Sequence, residues 1–304
     1  MDESLRSQVQ RIAGDRESGA SELLGLALGA LRDARGHGPL VLMEAARAVC
    51  RAQPSMASFW NAAASALADV ERPGTFERFA ARAERSASAL VRFAAALLAP
   101  AEERDRPLHV TTCSFSSSVL ACLAEVARVR ALSVACAEGR PALEGRRLAS
   151  RLAAAGTEVE LWTDAGVAVA LPRTGALVVG ADAVSSEWVL NKCGTSALAA
   201  SCAARGIPVY VIASRDKFLA PALAPLVRIV EHPAAEVWEG APSGVTVRNA
   251  YFERIPLEWV TSIVTDAGVL GVDMVMEACR AQGTWVTADI VTSLGEREES
   301  PTPD

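Results

Sequence analysis

The chain has 304 residues, 51% of them hydrophobic and 22% charged, with a formal net charge of −6 at pH 7. That balance fits a soluble globular chain of two domains or one large one, and it excludes a general nucleic-acid binder or a partner for acidic membrane surfaces. The opening Met1-Asp-Glu-Ser-Leu-Arg6 lacks the basic-then-apolar order of a secretory signal, and no apolar run is long enough to cross a bilayer.

In chain order, residues 21–34, 40–52, 56–68 and 76–98 carry apolar residues at helical spacing, and the turn formers of 36–39 and 72–74 separate them. This predicts a helical amino-terminal domain, residues 1–105, ending in the charged connector 100–107. Beyond it, short apolar runs at 109–112, 132–137, 158–162, 177–179 and 209–213 alternate with helix-like stretches. Alternation of that kind predicts a Rossmann-like α/β domain over 106–294 with a doubly wound, mostly parallel sheet. Residues 226–230 read as a further strand, and the polar tail 295–304 as disordered.

The densest chemistry lies between Val178 and Thr195. The run Leu177-Val178-Val179 ends at Gly180, so Asp182 is expected at the carboxyl end of a strand, where open α/β sheets bind ligands. Asn191, Lys192, Gly194 and Thr195 then open an alanine-rich helix whose amino end, with Lys192 beside it, is suited to an anion. Ser116 and Ser117 open another helix, as an anion cradle or simply as its cap. Seven cysteines without paired spacing read as thiols in the reducing cytoplasm. No CxxC pair and only three histidines leave no basis for a metal site, and no cofactor motif stands out.

The wording Gly180-Ala-Asp182, Asn191-Lys-Cys-Gly-Thr195, Glu138-Gly-Arg-Pro141 with Glu144-Gly145, Lys217-Phe218, Phe252-Glu253 and Thr265-Asp266 resembles one family in the family's order. It contains methylthioribose-1-phosphate isomerase, ribose-1,5-bisphosphate isomerase and the alpha, beta and delta subunits of initiation factor 2B. The resemblance implies a phosphorylated sugar or nucleotide as ligand and a homodimer or larger homo-oligomer. It also makes Asp182 the catalytic acid/base, and it gives substrate oxygens to Asn191 and Lys192 and phosphate to Arg140.

Three departures from the pattern bear on activity. Register places Ser114 where the isomerases carry their catalytic cysteine, while Cys113 falls one residue earlier and is expected on the opposite face of an extended segment. Should a turn begin at Cys113, its thiol becomes the alternative catalytic group. The family's two amino-terminal phosphate-binding arginines are absent: Ser18-Gly19-Ala20 and Gln53-Pro54-Ser55 stand at those places, with Arg16 and Arg51 two residues away. Two readings therefore stay open. One is an aldose–ketose isomerase of a ribose-1-phosphate-type substrate; the other is a non-catalytic regulatory or assembly subunit that senses a phosphorylated sugar or nucleotide.

Overall fold

A computed structural model describes residues 1–15 and 18–295. The expectations for Arg16 and for the tail beyond Gly295 lie outside the described residues. Five helices come first: α1 (Glu3–Gly14), α2 (Ala20–Arg35), α3 (Pro39–Ala52), α4 (Ala57–Ala68) and α5 (Thr75–Leu98). Their starts follow local chemistry. Asp2 caps α1 by accepting from Leu5 N–H, Pro39 opens α3 where no N–H is needed, and Gly74, at φ +84°, makes the left-handed step into α5.

Helix α4 has no polar face, because α2, α3, α5 and the later helix over Ala288–Gly295 surround it. Its Phe59 is fully buried, as is Phe76 at the start of α5, and side chains of this size contribute about 2–3 kcal/mol each on burial. Its one large polar side chain, Asn61, donates from its amide nitrogen to the Asp216 and Phe218 carbonyls at 2.7 and 2.9 Å. Helix α5 joins two cores: Phe76 and Phe79 pack in the helical layer, whereas Leu90, Ala94 and Leu98 cover the sheet.

The α/β part follows as β1 (Leu108–Cys113), α6 (Ser117–Ala127), β2 (Leu132–Ala137), α7 (Glu144–Ala154), β3 (Glu158–Trp162), β4 (Ala176–Gly180), β5 (Ala183–Val184), β6 (Trp188–Lys192), α8 (Thr195–Ala203), β7 (Val209–Ile212), β8 (Phe252–Pro256), β9 (Ser262–Thr265), β10 (Gly268–Gly271), α9 (Val272–Gln282) and α10 (Ala288–Gly295). Seven strands form one sheet in the order β10-β9-β7-β4-β1-β2-β3, parallel throughout except for the antiparallel β9–β10 hairpin. This is the helical-then-doubly-wound architecture that the sequence predicts. The chain builds outward from β1 through β2 to β3 and then resumes on the other side at β4, so the switch point lies between β1 and β4.

Two features depart from expectation. The segment between Asp182 and Thr195 is not a plain strand-to-helix turn: β5 and β6 pair antiparallel, β8 adds to β6, and together they make a small second sheet. No strand forms at 226–230, because Arg228 gives its N–H to the Pro54 carbonyl (3.0 Å) and accepts from the Ser55 hydroxyl (2.6 Å), tying that segment to the helical layer. Helix α10 returns there too, with Ile290 and Leu294 joining the helical core. Among the described residues, no helix is long and apolar enough to cross a membrane.

Candidate functional site

At the switch point β1 ends in a sharp change of direction. Ser114 takes φ +65°, a left-handed conformation that costs a non-glycine residue about 1 kcal/mol or more, and α6 starts three residues later behind Ser116, whose hydroxyl accepts from Val119 N–H at 3.3 Å. Gly180, at the end of the neighbouring β4, must be glycine because a Cβ there would lie 2.9 Å from the Cβ of Ser116. Asp182 follows. Its main chain is held on both sides, the N–H bonding Leu190 O at 2.8 Å and the carbonyl accepting the first N–H of α4, from Ala57, at 2.9 Å.

These elements wall a cavity of about 840 Å³ between the helical layer and the sheet. Ser114, Ser116, Ser117, Glu144, Arg147, Asp182, Asn191 and Lys217 line it from the α/β side, Arg51 and Gln53 from the helical side, and His232, Glu236 and Tyr251 from the long connection between β7 and β8. Burial pushes the Asp182 carboxyl up to about 6; Glu144 adds to the rise, while Lys217 and Lys192 oppose it. Lys217 is itself buried and donates to the Ala181 carbonyl at 2.6 Å, which fixes an ammonium beside the Asp182 turn. Arg147 stacks on the Phe115 ring at 3.7 Å from its centroid.

The structure separates the residues singled out in the sequence into two groups. Asp182, Ser114, Ser116, Ser117, Asn191 and Gln53 line the cavity, and Gln53 also donates to Ile12 O at 3.1 Å. Cys113, Arg140, Lys192, Gly194 and Thr195 do not. Cys113 is buried with its sulfur 3.2 Å from Thr195 Oγ1, and burial pushes its thiol up to about 11, so it stays protonated near neutral pH. No turn at Cys113 carries it into the cavity; the turn comes one residue later. Arg140 is exposed, and its guanidinium donates to Val237 O at 3.1 Å, outside the cavity.

The anion expected at the start of α8 meets a carboxylate already in place. Glu253 on β8 accepts the Gly194 and Ser196 N–H groups at 2.7 and 2.8 Å, because pairing of β6 with β8 brings the two together. Thr195 is likewise engaged, accepting from Asn191 Nδ2 at 3.0 Å and donating to Lys192 O at 2.6 Å. Lys192 is 3% exposed and forms an ion pair with Glu144 at 2.6 Å. Sequence reasoning gave no site role to Glu144, Arg147, Lys217, His232 or Tyr251, although Glu144, Lys217 and Tyr251 lie in or beside recognisable motifs; for His232 no sequence signal exists.

Residues 40–271 match the model of the initiation factor 2 subunit family. The chain belongs to that family. A Pyrococcus furiosus protein named as eIF-2B subunit 2-like is 31% identical over 75% of this chain and 80% of its own length. A ribose 1,5-bisphosphate isomerase from Haloferax volcanii is 30% identical over 88% and 90%. Among solved structures, the translation initiation factor eIF-2B of Pyrococcus horikoshii superposes with a TM-score of 0.75 at 28% identity, over 89% of this chain and 98% of that one. Membership in the initiation factor 2 subunit family thus spans sugar-phosphate isomerases and initiation-factor subunits, and the choice between them rests on the cavity.

Proposed function

We propose that this chain binds a phosphorylated pentose in the cavity and interconverts its aldose and ketose forms. The observation that carries the reading is Asp182, a carboxyl with its pKa raised to about 6 on the wall of a cavity at the switch point. Converting a ribose-1-phosphate-type compound to its ketose needs two opposite proton movements. The ring oxygen leaves C1 and takes a proton, a hydrogen passes from C2 to C1, and the C2 hydroxyl releases its proton as the carbonyl forms. A single carboxyl poised near working pH can supply the first proton and accept the second. Asn191 presents its amide to a substrate oxygen, while the start of α6 at Ser116 and Ser117, with Arg147 and Arg51, supports the phosphoryl group.

A second reading, a non-catalytic sensor of a phosphorylated sugar or nucleotide, is favoured by Cys113, whose buried thiol stands behind the cavity wall with Ser114 in front. The two readings separate in one experiment. The purified chain is offered ribose 1-phosphate, ribose 1,5-bisphosphate and methylthioribose 1-phosphate, and ketose formation is followed by NMR. Turnover is expected, with Asp182→Asn reducing it about 10²-fold or more while retaining ligand affinity. Ligand binding without ketose from any of these compounds discards the isomerase and leaves the sensor.

Two further proposals accompany this reading. All seven cysteines are free thiols, which supports a reducing, cytoplasmic setting; labelled protein found outside that compartment would contradict it. Exposed apolar side chains on β10 and α9 support a homo-oligomer, which light scattering tests.

A further inference from the structure

Lys217 is placed to do more than fix the Asp182 turn, and what it can do rests on the pentose reading above. Its side chain lines the cavity at 5% exposure, yet among the described residues it forms no ion pair. Buried ammonium groups are normally paired, as Lys192 is with Glu144. One N–H of Lys217 goes to the carbonyl of Ala181, which leaves two donors without a protein partner among the described residues. Ala181 immediately precedes Asp182, and of the charges acting on the Asp182 carboxyl that of Lys217 is the strongest, although the two groups do not meet as an ion pair. A gap therefore separates a carboxyl from an ammonium on the cavity wall.

Helix α4 holds both sides of that gap. Its first N–H, from Ala57, bonds the Asp182 carbonyl at 2.9 Å. One turn later on the same face, Asn61 donates to the carbonyls of Asp216 and Phe218, the two residues that flank Lys217. The Lys217 N–H itself bonds Ser214 O at 3.0 Å. Asn61 Oδ1 is buried with no hydrogen-bond partner, so the clamp is kept at a cost to the fold, which is typical of a position that serves a site.

We propose that Lys217 is a second catalytic residue, its ammonium binding the C2 oxygen of the pentose while Asp182 takes the proton of the same hydroxyl. A neutral hydroxyl suits the gap because it donates to the carboxylate and accepts from the ammonium at once, whereas a phosphoryl oxygen there would face the Asp182 charge. Once the ring oxygen has left C1 with its bonding pair and taken the proton of Asp182, the carboxylate is ready to accept. The C2–H pair then moves to C1, the hydroxyl proton passes to Asp182, and the electrons of the broken O–H bond close the C2 carbonyl. In the reverse direction the ammonium polarises that carbonyl to receive the hydrogen, so by microscopic reversibility it lowers the same barrier forwards.

The test compares ribose 1-phosphate with 2-deoxyribose 1-phosphate, which lacks the C2 oxygen, by calorimetric titration of the full chain. The unmodified protein is expected to bind ribose 1-phosphate about 10-fold or more tightly, because the deoxy sugar leaves the gap unfilled. Lys217→Met should reduce that preference to about 3-fold or less, and should lower turnover of ribose 1-phosphate about 10²-fold with little change in its affinity. Circular dichroism and melting temperature establish that the variant is folded, and Lys217→Gln, with the same expectation, serves should the methionine variant fail to fold. Equal binding of the two sugars by the unmodified protein, or a preference undiminished in a folded variant, overturns the proposal while leaving a phosphorylated-pentose site intact. An equal loss of affinity for both sugars would make Lys217 an anchor for the phosphoryl group and overturns it likewise. A preference that depends on Lys217 without any ketose formed by the unmodified protein discards the isomerase, and the catalytic role with it. Binding of neither sugar overturns the phosphorylated-pentose reading itself.

Discussion

At the scale of single residues, Asp182 couples function to stability. Burial raises its pKa from 3.8 to about 6, so the folded chain holds that proton more tightly than the unfolded chain. Below about pH 4 the carboxyl is neutral in both states and costs nothing; between about pH 4 and 6 the cost of ionising it in the fold appears, and above that it is constant. Asp182→Asn is expected to stabilise the protein by about 2 kcal/mol at neutral pH, allowing for the carboxyl's partial exposure, and the gain should vanish below about pH 4. Urea denaturation at both pH values checks this, and an equal gain at both would mean that burial is not the source. The sequence pointed to Asp182 because it follows a recognisable strand end, and to Ser114 through the register with the family it resembles. It could not separate Asn191 from Lys192, because neighbours on a strand point to opposite sides and nothing local marks 188–192 as a strand. Nor could it place Glu144 against Lys192, a pairing 48 positions apart that only the fold brings together.

At the scale of elements, the strand ends and helix starts that build the site depend on close approaches that only glycine permits. Gly145 is the sharpest case: an added Cβ would meet the Ala137 carbonyl oxygen at 1.8 Å, and the obstacle is main chain rather than a side chain that can swing aside. Gly145→Ala is expected to cost about 3 kcal/mol or more and to displace α7 with Glu144. A melting temperature within a few degrees of the unmodified protein's would refute that. The long helices and the parallel strands were legible because their periods of 3.6 and 2 run over enough residues to stand out. Helix α1 was not, since its buried face rests chiefly on Leu5 and Ile12. The two-residue β5 carries too little pattern to read, and 226–230 looked like a strand because apolar residues that pack on a neighbouring layer resemble residues that pair in a sheet.

At the scale of the whole molecule, α5 and α10 tie the two layers together, one covering the sheet with its second half and the other packing Ile290 and Leu294 into the helical core. At the β9–β10 end, where α5 and α9 pack on the sheet, one edge is left unpaired. Strand β10 is an edge, with one row of main-chain groups unpaired, and Val269 on it is 42% exposed. Helix α9 buries Val275 and Cys279 but leaves Met274 and Met276 about half exposed, at 46% and 45%. Not all of this region is available, because Ile263 and Val264 on β9 are fully buried in the sheet. What remains is an apolar surface beside an open edge, which a second copy of the chain can cover by a two-fold axis so that each protomer buries the other's methionines. Light scattering at micromolar concentration is expected to give at least twice the chain mass of 31.9 kDa. Replacing Met274 and Met276 together by glutamate should weaken association by about 10-fold or more with circular dichroism unchanged, since two buried charges would then face their own copies across the axis. A monomer mass for the unmodified protein would contradict the assembly, and a dimer indifferent to both substitutions would move the interface to another face.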